Sequence, residues 1–195
     1  MEHNFNERQN DETIGIITFN ISQRDLIDDL IDEECVKDPD FAAKIRTELV
    51  RRRDGEDIGL FVKNIETVQG DERDVIIFSV GYARNADGKI VRKFGWLNQQ
   101  GGENRLNVAI SRAKKKIHIV TSLDPSEIIT DDIKNKGPHY LKKYLEYAFA
   151  VSAGDTESAR QILLSLSDTT TPAQSYSSDD DFENQVCAAL IQRGY

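Results

Sequence analysis

Short apolar runs at residues 14–19, 75–80 and 117–121 punctuate this chain, and the segments between them carry helical periodicity. Runs this short, apolar without strict alternation, read as strands buried on both faces, the pattern of a parallel sheet. Parallel neighbours cannot be joined by a tight turn and need a crossover, usually helical. The spacing therefore predicts an α/β domain with a mostly parallel sheet flanked by helices.

The intervening pieces fill out this plan. Leu26, Ile27, Leu30 and Ile31 keep helical spacing, with Ser22 as the expected N-cap and Asp25 three residues on, an acidic variant of the capping box. Asp40 is the expected cap of a second helix with Phe41, Ile45 and Leu49 along one face, and 60–62 reads as a further strand. Residues 83–96 form a loop-rich excursion, expected as a hairpin about Asp87-Gly88. A helix is expected over 103–113, a short helical turn over 125–129, and a helix over 138–151 with Leu141, Tyr144, Leu145 and Ala148 inward. Residues 1–13 are expected to be a disordered start, and 14–164 the main domain. The Ser, Thr and Asp content of 165–181 predicts a linker, and 182–194 (Phe182, Val186, Ala189, Leu190) resumes an amphipathic pattern that would open a second domain.

With 38% hydrophobic and 30% charged residues over 195 positions, the chain has the composition of a globular protein large enough to bury a core. No apolar stretch approaches the roughly 20 residues that span a bilayer, so no membrane partner is expected. Cys35 and Cys187 match no metal-ligand spacing, which predicts free thiols in a reducing, cytoplasmic setting. A net charge of −9 argues against strong autonomous binding to nucleic acid. Basic knots at Arg51-Arg52-Arg53 and over 112–116 are read first as solvated faces, helical for the arginine triplet.

Two segments carry the chemistry. In the first, Val68-Gln69-Gly70-Asp71-Glu72-Arg73-Asp74, a glycine turn precedes a strand and sets polar groups at a sheet edge, where ligands of open parallel sheets collect. Glu72 can accept from a ribose hydroxyl and Gln69 can donate to a phosphate; a plain polar loop explains the spacing equally well. In the second, Arg105 and Arg112 lie two helical turns apart and on about the same face, with Asn107 and Ser111 between them. An arginine projected this way can stabilise a transferring γ-phosphoryl, or simply form surface ion pairs. Gly88-Lys89 lacks the upstream glycine of a phosphate-binding loop. His3, His118 and His139 have no ligand spacing, so no metal site is expected. Phe94 and Trp96 are expected to pack inside rather than to stack on a base.

At these residues the chain resembles the C-terminal RecA-like motor domain of bacterial superfamily 1 helicases. Ile14-Gly15-Ile16-Ile17-Thr18-Phe19-Asn20 with Gln23 is similar to motif IV, Thr67 to Asp74 to motif V, and Arg105 to Lys114 to motif VI; Phe19-Asn20 stands where motif IV more often has Pro-Tyr. Walker A and Walker B segments are absent. The features over 18–20, 81–97 and 101–103 are similar to large helicases that carry a restriction-endonuclease-like domain akin to very-short-patch-repair nucleases, whose opening helix 182–195 resembles.

The resemblance implies an ATP-dependent DNA or RNA helicase in which this chain supplies one half of each site. Arg112 would be the arginine finger. Gly70, Glu72 and Arg105 would meet or support the ATP, and Thr18, Thr67 and Gln69 would lie along the single-stranded DNA or RNA. The Walker segments and the Mg²⁺ ligands would come from the N-terminal RecA-like domain of the same polypeptide, and this chain alone would be inactive. The rival expectation is a non-catalytic RecA-like interaction module with a degenerate ATP site.

Overall fold

The computed structural model describes residues 11–84, 86, 88, 90 and 94–167. They form two compact units, one from residues up to 81 together with 108–122, the other from 82–107 and 123 onward. The expected second-domain helix at 182–194, and with it Cys187, lies outside the described residues, as does Asp87 of the expected hairpin turn.

The first unit is a four-stranded sheet of the RecA-like, P-loop-NTPase type. Its strands are β1 (Ile14–Thr18), β4 (Phe61–Asn64), β5 (Arg73–Val80) and β6 (Ala113–Thr121), in the order β4-β1-β5-β6. Every pairing is parallel, with Gly15 opposite Phe61, Thr18 opposite Asn64 and Ser79, and Ile77 opposite His118. Gly15 is needed where it stands, since a Cβ there would come within 2.4 Å of the Phe61 ring. Between β1 and β4 run α1 (Ile21–Lys37) and α2 (Pro39–Leu49). Ile14, Ile16, Val75 and Ile77 pack with Leu60, Phe41 and Ile45, and Ile27, Ile31 and Cys35 of α1 close the cluster from outside. Residues of opposite parity, Ile17, Ile76 and Phe78, are fully buried as well, and Phe19 meets Phe78 edge to face at 5.5 Å. Burial on both faces is what an uninterrupted apolar strand requires.

Several local expectations change. Asn20, not Ser22, caps α1, accepting from the Gln23 N–H at 2.7 Å. Asp38, not Asp40, caps α2, accepting from the Asp40 and Phe41 N–H groups, with Pro39 in the first turn. In each case the helix starts earlier because the capping residue needs extended backbone, and Asn20 and Asp38 have it. Leu26, Leu30 and Leu49 are exposed rather than buried. On α1 it is Ile27, Ile31 and Cys35, spaced by four, that pack against the core. The arginine triplet is not helical: Arg52–Arg53 (β2) pairs with Glu56–Asp57 (β3) around Asp54-Gly55. Both turn residues have positive φ, the demand of a two-residue hairpin that Asp-Gly satisfies. Arg51 instead pairs with the buried Glu48 and donates to the Asp11 and Glu12 carbonyls.

In the second unit, among the described residues, the excursion after β5 carries the antiparallel bridge of Arg84 with Ile90 and returns through a 3₁₀ turn at Gly95–Asn98. Helix α3 (Gly102–Ile110) starts in this unit and ends in the first. A 3₁₀ turn at Pro125–Glu127 closes a capping box on Asp124. Helix α4 (Lys136–Ser152) buries Leu141, Tyr144 and Leu145 as expected. Helix α5 (Thr156–Ser167) packs Ala159, Ile162 and Leu163 on Tyr147 and Ala150 and runs past 165, into the segment read as linker.

The amino edge of the sheet is held by Asp74. Its carboxylate accepts from the Thr13 N–H at 2.9 Å and the Thr13 hydroxyl at 3.0 Å, and Lys115 of β6 stands at 3.4 Å. Burial pushes the Asp74 carboxyl up, but the Thr13 hydrogen bonds and Lys115 outweigh it and hold the carboxyl below its usual range. A depressed carboxyl contributes stability above the unfolded-state pKa and loses it as pH falls through the folded one. Asp74→Asn should therefore cost about 1–3 kcal/mol at pH 7. In urea titrations that difference should begin to shrink as pH falls below about 4, where the unfolded chain takes up the proton, and should vanish once pH has passed through the folded carboxyl's lower range.

Candidate functional site

The residues expected to carry chemistry in the first unit fall at two opposite edges of its sheet. Glu72 precedes β5 and Arg112 precedes β6, so both stand at the amino edge. Thr18 ends β1 and Thr67 follows β4, so both stand at the carboxyl edge. Strand register puts Glu72 about seven residues below Thr18, roughly 20 Å at about 3.3 Å per residue. The expectation that the turn before β5 opens onto the ligand-collecting carboxyl edge is thus corrected. The chain leaves β4 at the carboxyl edge and must run back over 65–72 before β5 can start parallel to it.

The amino edge is built around Arg112. Helix α3 ends at Ile110, and Arg112 stands in the turn that follows, not on the helix as expected. Its N–H turns back to the Ala109 carbonyl at 3.2 Å, and its own carbonyl accepts from the Arg73 N–H at 3.1 Å, which starts the β5–β6 ladder. The side chain finishes the helix: Nε donates to the Val108 carbonyl at 2.9 Å and Nη2 to Ser111 Oγ at 2.9 Å. Ser111 Oγ donates to that same Val108 carbonyl. Helices leave their last carbonyls unpartnered, and here two side chains satisfy one. The arrangement fixes the guanidinium plane and leaves Nη1 directed toward Glu72.

Glu72 Oε1 lies 3.8 Å from Arg112 Nη1, and Glu72 Oε2 lies 3.8 Å from Lys114 Nζ. These are loose ion pairs beyond hydrogen-bond reach, between a half-exposed carboxylate and two cations. The pair with Lys114 joins two exposed groups and contributes about 0–1 kcal/mol, so an incoming group can replace it at small cost, whereas the Arg112 side chain is only 16% exposed. Nothing in the spacing singled out Lys114; strand pairing places it beside Glu72. Arg73, between them in sequence, has a different role. It is buried, donates to the Gly59 carbonyl at 2.8 Å and sits over the Phe61 ring at 5.0 Å, and burial lowers its pKa.

Gly70 occupies a turn from Val68 to Asp71, with the Asp71 N–H toward the Val68 carbonyl at 3.4 Å and φ +89°. That is the third position of a type II turn, which selects glycine. Lys63 clamps the outgoing end, 2.6 Å from Asp71. Gln69 and Gly70 are both exposed.

At the carboxyl edge Asn64 organises the chain. Its Oδ1 accepts from the Glu66 and Thr67 N–H groups and the Thr67 hydroxyl, at 3.0–3.1 Å. Thr67 is exposed. Thr18 is fully buried, and its hydroxyl donates to the Asn20 carbonyl at 3.0 Å, so it shapes the β1–α1 turn and offers no atom to a ligand. Gln23, whose role spacing did not reveal, bridges two strand ends. Its Nε2 donates to Ser79 at 2.8 Å and its Oε1 accepts from the Phe19 N–H at 3.4 Å. Gly81 leaves room for it, since a Cβ there would come within 2.4 Å of the Gln23 amide.

Arg105 belongs to the second unit and lies over the Trp96 ring at 5.5 Å. Phe94 is buried against Tyr82 as expected, but Trp96 is exposed, because its turn buries Leu97 instead. Among the described residues no group of three or more His, Cys, Asp or Glu side chains is placed to hold a metal, and no helix is long and apolar enough to cross a membrane. Cys35 is free and half-buried.

A family model described as an AAA domain matches residues 1–124. The chain belongs to that family. Over 150 residues it is 40% identical to an uncharacterized ATP-dependent helicase of Mycoplasma pneumoniae, the MG140 homolog. Over 148 residues it is 42% identical to the uncharacterized ATP-dependent helicase MG140 of Mycoplasma genitalium. Each match covers 75% of this chain and 12% of the relative, so the chain spans about an eighth of the length of these curated relatives. No solved structure matches the chain.

The turn geometry generates one prediction for this AAA domain. Gly70→Ala forces a side chain into a left-handed conformation and should cost about 1–2 kcal/mol. Gly70→Asn, which tolerates that region, should cost clearly less. Thermal melts of the two variants decide it.

Proposed function

We propose that this chain is the second motor domain of an ATP-dependent superfamily 1 helicase, working on a single strand of DNA or RNA with an N-terminal RecA-like domain of the same polypeptide. The observation that carries the reading is Arg112: a guanidinium locked on one side by the end of α3, with its remaining nitrogen 3.8 Å from a half-exposed Glu72 that Lys114 also approaches. The names of the two relatives, both ATP-dependent helicases, support it.

In this reading the amino edge faces the nucleotide. Arg112 stabilises charge on the transferring γ-phosphoryl, and its locked plane spares the entropy that a free side chain would lose. Lys114 adds a second cation. Glu72, released from both, accepts from the ribose hydroxyls, and Gly70 keeps the preceding turn tight. ATP with Mg²⁺ supplies the phosphoryl group, and the partner domain supplies the Walker segments and ion ligands.

The carboxyl edge faces the strand. Thr67 offers a polar group to its backbone, Gln69 offers another from the exposed turn that follows, and Thr18 positions Asn20. A closure felt at Arg112 is carried through rigid β5 and β6 to the other edge, where it moves the strand contacts. A nuclease-type domain following residue 181 belongs to the same proposal.

In the full-length protein, Arg112→Ala should lower ATP hydrolysis by about 10³- to 10⁵-fold while ATP affinity changes only a few-fold. Because Arg112 also caps α3, a thermal melt must show the variant folded. Hydrolysis that persists in folded Arg112→Ala refutes the finger role. The chain alone should show no turnover on the enzyme scale of about 1 s⁻¹ or faster, and such turnover would refute the half-site reading.

A further inference from the structure

Trp96 is the chain's single tryptophan, and it is 39% exposed on a turn that is anything but loose. Its neighbour Leu97 is buried, and the Leu97 carbonyl is wedged between two glycine backbones. A Cβ at Gly102 or at Gly137 would come within 2.2 Å of that oxygen. Asn135 Nδ2 donates to the Asn98 carbonyl at 2.8 Å and fastens the turn's far end. The ring is therefore presented outward by a clamped scaffold, with the Arg105 guanidinium 5.5 Å from its centroid. The surroundings suit a base with a phosphate beside it. From 94 to 107 a chain of net charge −9 carries one carboxylate, Glu103, against Asn98, Gln99, Gln100, Asn104 and Asn107. Of these amides all but Asn107 are exposed. Exposed aromatic rings beside arginines and amides take stacked bases with little sequence preference.

We propose that Trp96 and Arg105 form a nucleobase-stacking site, Trp96 taking the face of a base and Arg105 the adjoining phosphate. The ligand class rests on the motor reading above; the presented ring does not. The base can come from a strand or from a nucleotide, and Trp96 fluorescence separates them, since no other tryptophan contributes. The full chain is titrated at low salt with an oligothymidylate and, separately, with a non-hydrolysable ATP analogue, correcting for absorbance. Saturable quenching by the oligonucleotide supports the site and assigns a strand base; quenching by the analogue supports it and assigns the adenine. Quenching by neither overturns it. For whichever ligand quenches, binding is then followed by anisotropy of its labelled form. Trp96→Ala should weaken it about tenfold, while Trp96→Phe, which keeps a stacking face and checks folding, should stay within a few-fold. Unchanged binding in Trp96→Ala overturns the site. Trp96-dependent binding together with persistent hydrolysis in Arg112→Ala would remove the finger assignment and leave the stacking site standing.

Discussion

Parallel strands cannot be joined by tight turns, and the first unit is organised by that fact. Each strand enters at the amino edge and leaves at the carboxyl edge, so every connection must run back the length of the sheet. Helices α1 and α2 do this between β1 and β4. Between β4 and β5 the return is made by residues 65–72 alone, with no helix. A connection that short has to be folded by its own side chains. Asn64 bends it at the start, Gly70 turns it, and Lys63 holds Asp71 near the end. Thr67 and Glu72 therefore reach opposite edges though they are close in sequence.

Each edge is finished by side chains as well as by backbone. Asp74 joins Thr13, β5 and Lys115 at the amino edge, and Gln23 joins the ends of β1 and β5 at the carboxyl edge. These contacts do for a parallel sheet what hairpin turns do for an antiparallel one. Arg112 combines both kinds of work. Its backbone starts the β5–β6 ladder, and its side chain closes α3 and still leaves one nitrogen 3.8 Å from Glu72.

The strands and the buried helix faces were legible because burial on two faces leaves an uninterrupted apolar run, and because Phe41, Ile45, Leu141 and Leu145 repeat at helical spacing. Helix starts were less so. Ser22 and Asp40 are good capping residues by type, but Asn20 and Asp38 hold the extended backbone that a cap requires. Asp54-Gly55 was a readable hairpin signal, masked by reading the arginines as a charged helix face. Trp96 departs from expectation because an aromatic residue beside apolar neighbours is usually inside. The turn there buries Leu97, and one residue of shift reverses the face.

By itself the sequence determined the α/β class, the parallel sheet and the likeness to a nucleotide motor, because these follow from periodicity and from residue types at fixed spacing. It also brought Glu72 and Arg112 forward. Only the tertiary structure decided that they meet, beside Lys114, at the amino edge while Thr67 stands at the other. It alone showed that Thr18 is sealed inside and that Trp96 is turned out. Spacing along a chain says which residues share an element. Which end of the sheet they reach, and whether they face water, depends on strand pairing between residues distant in sequence.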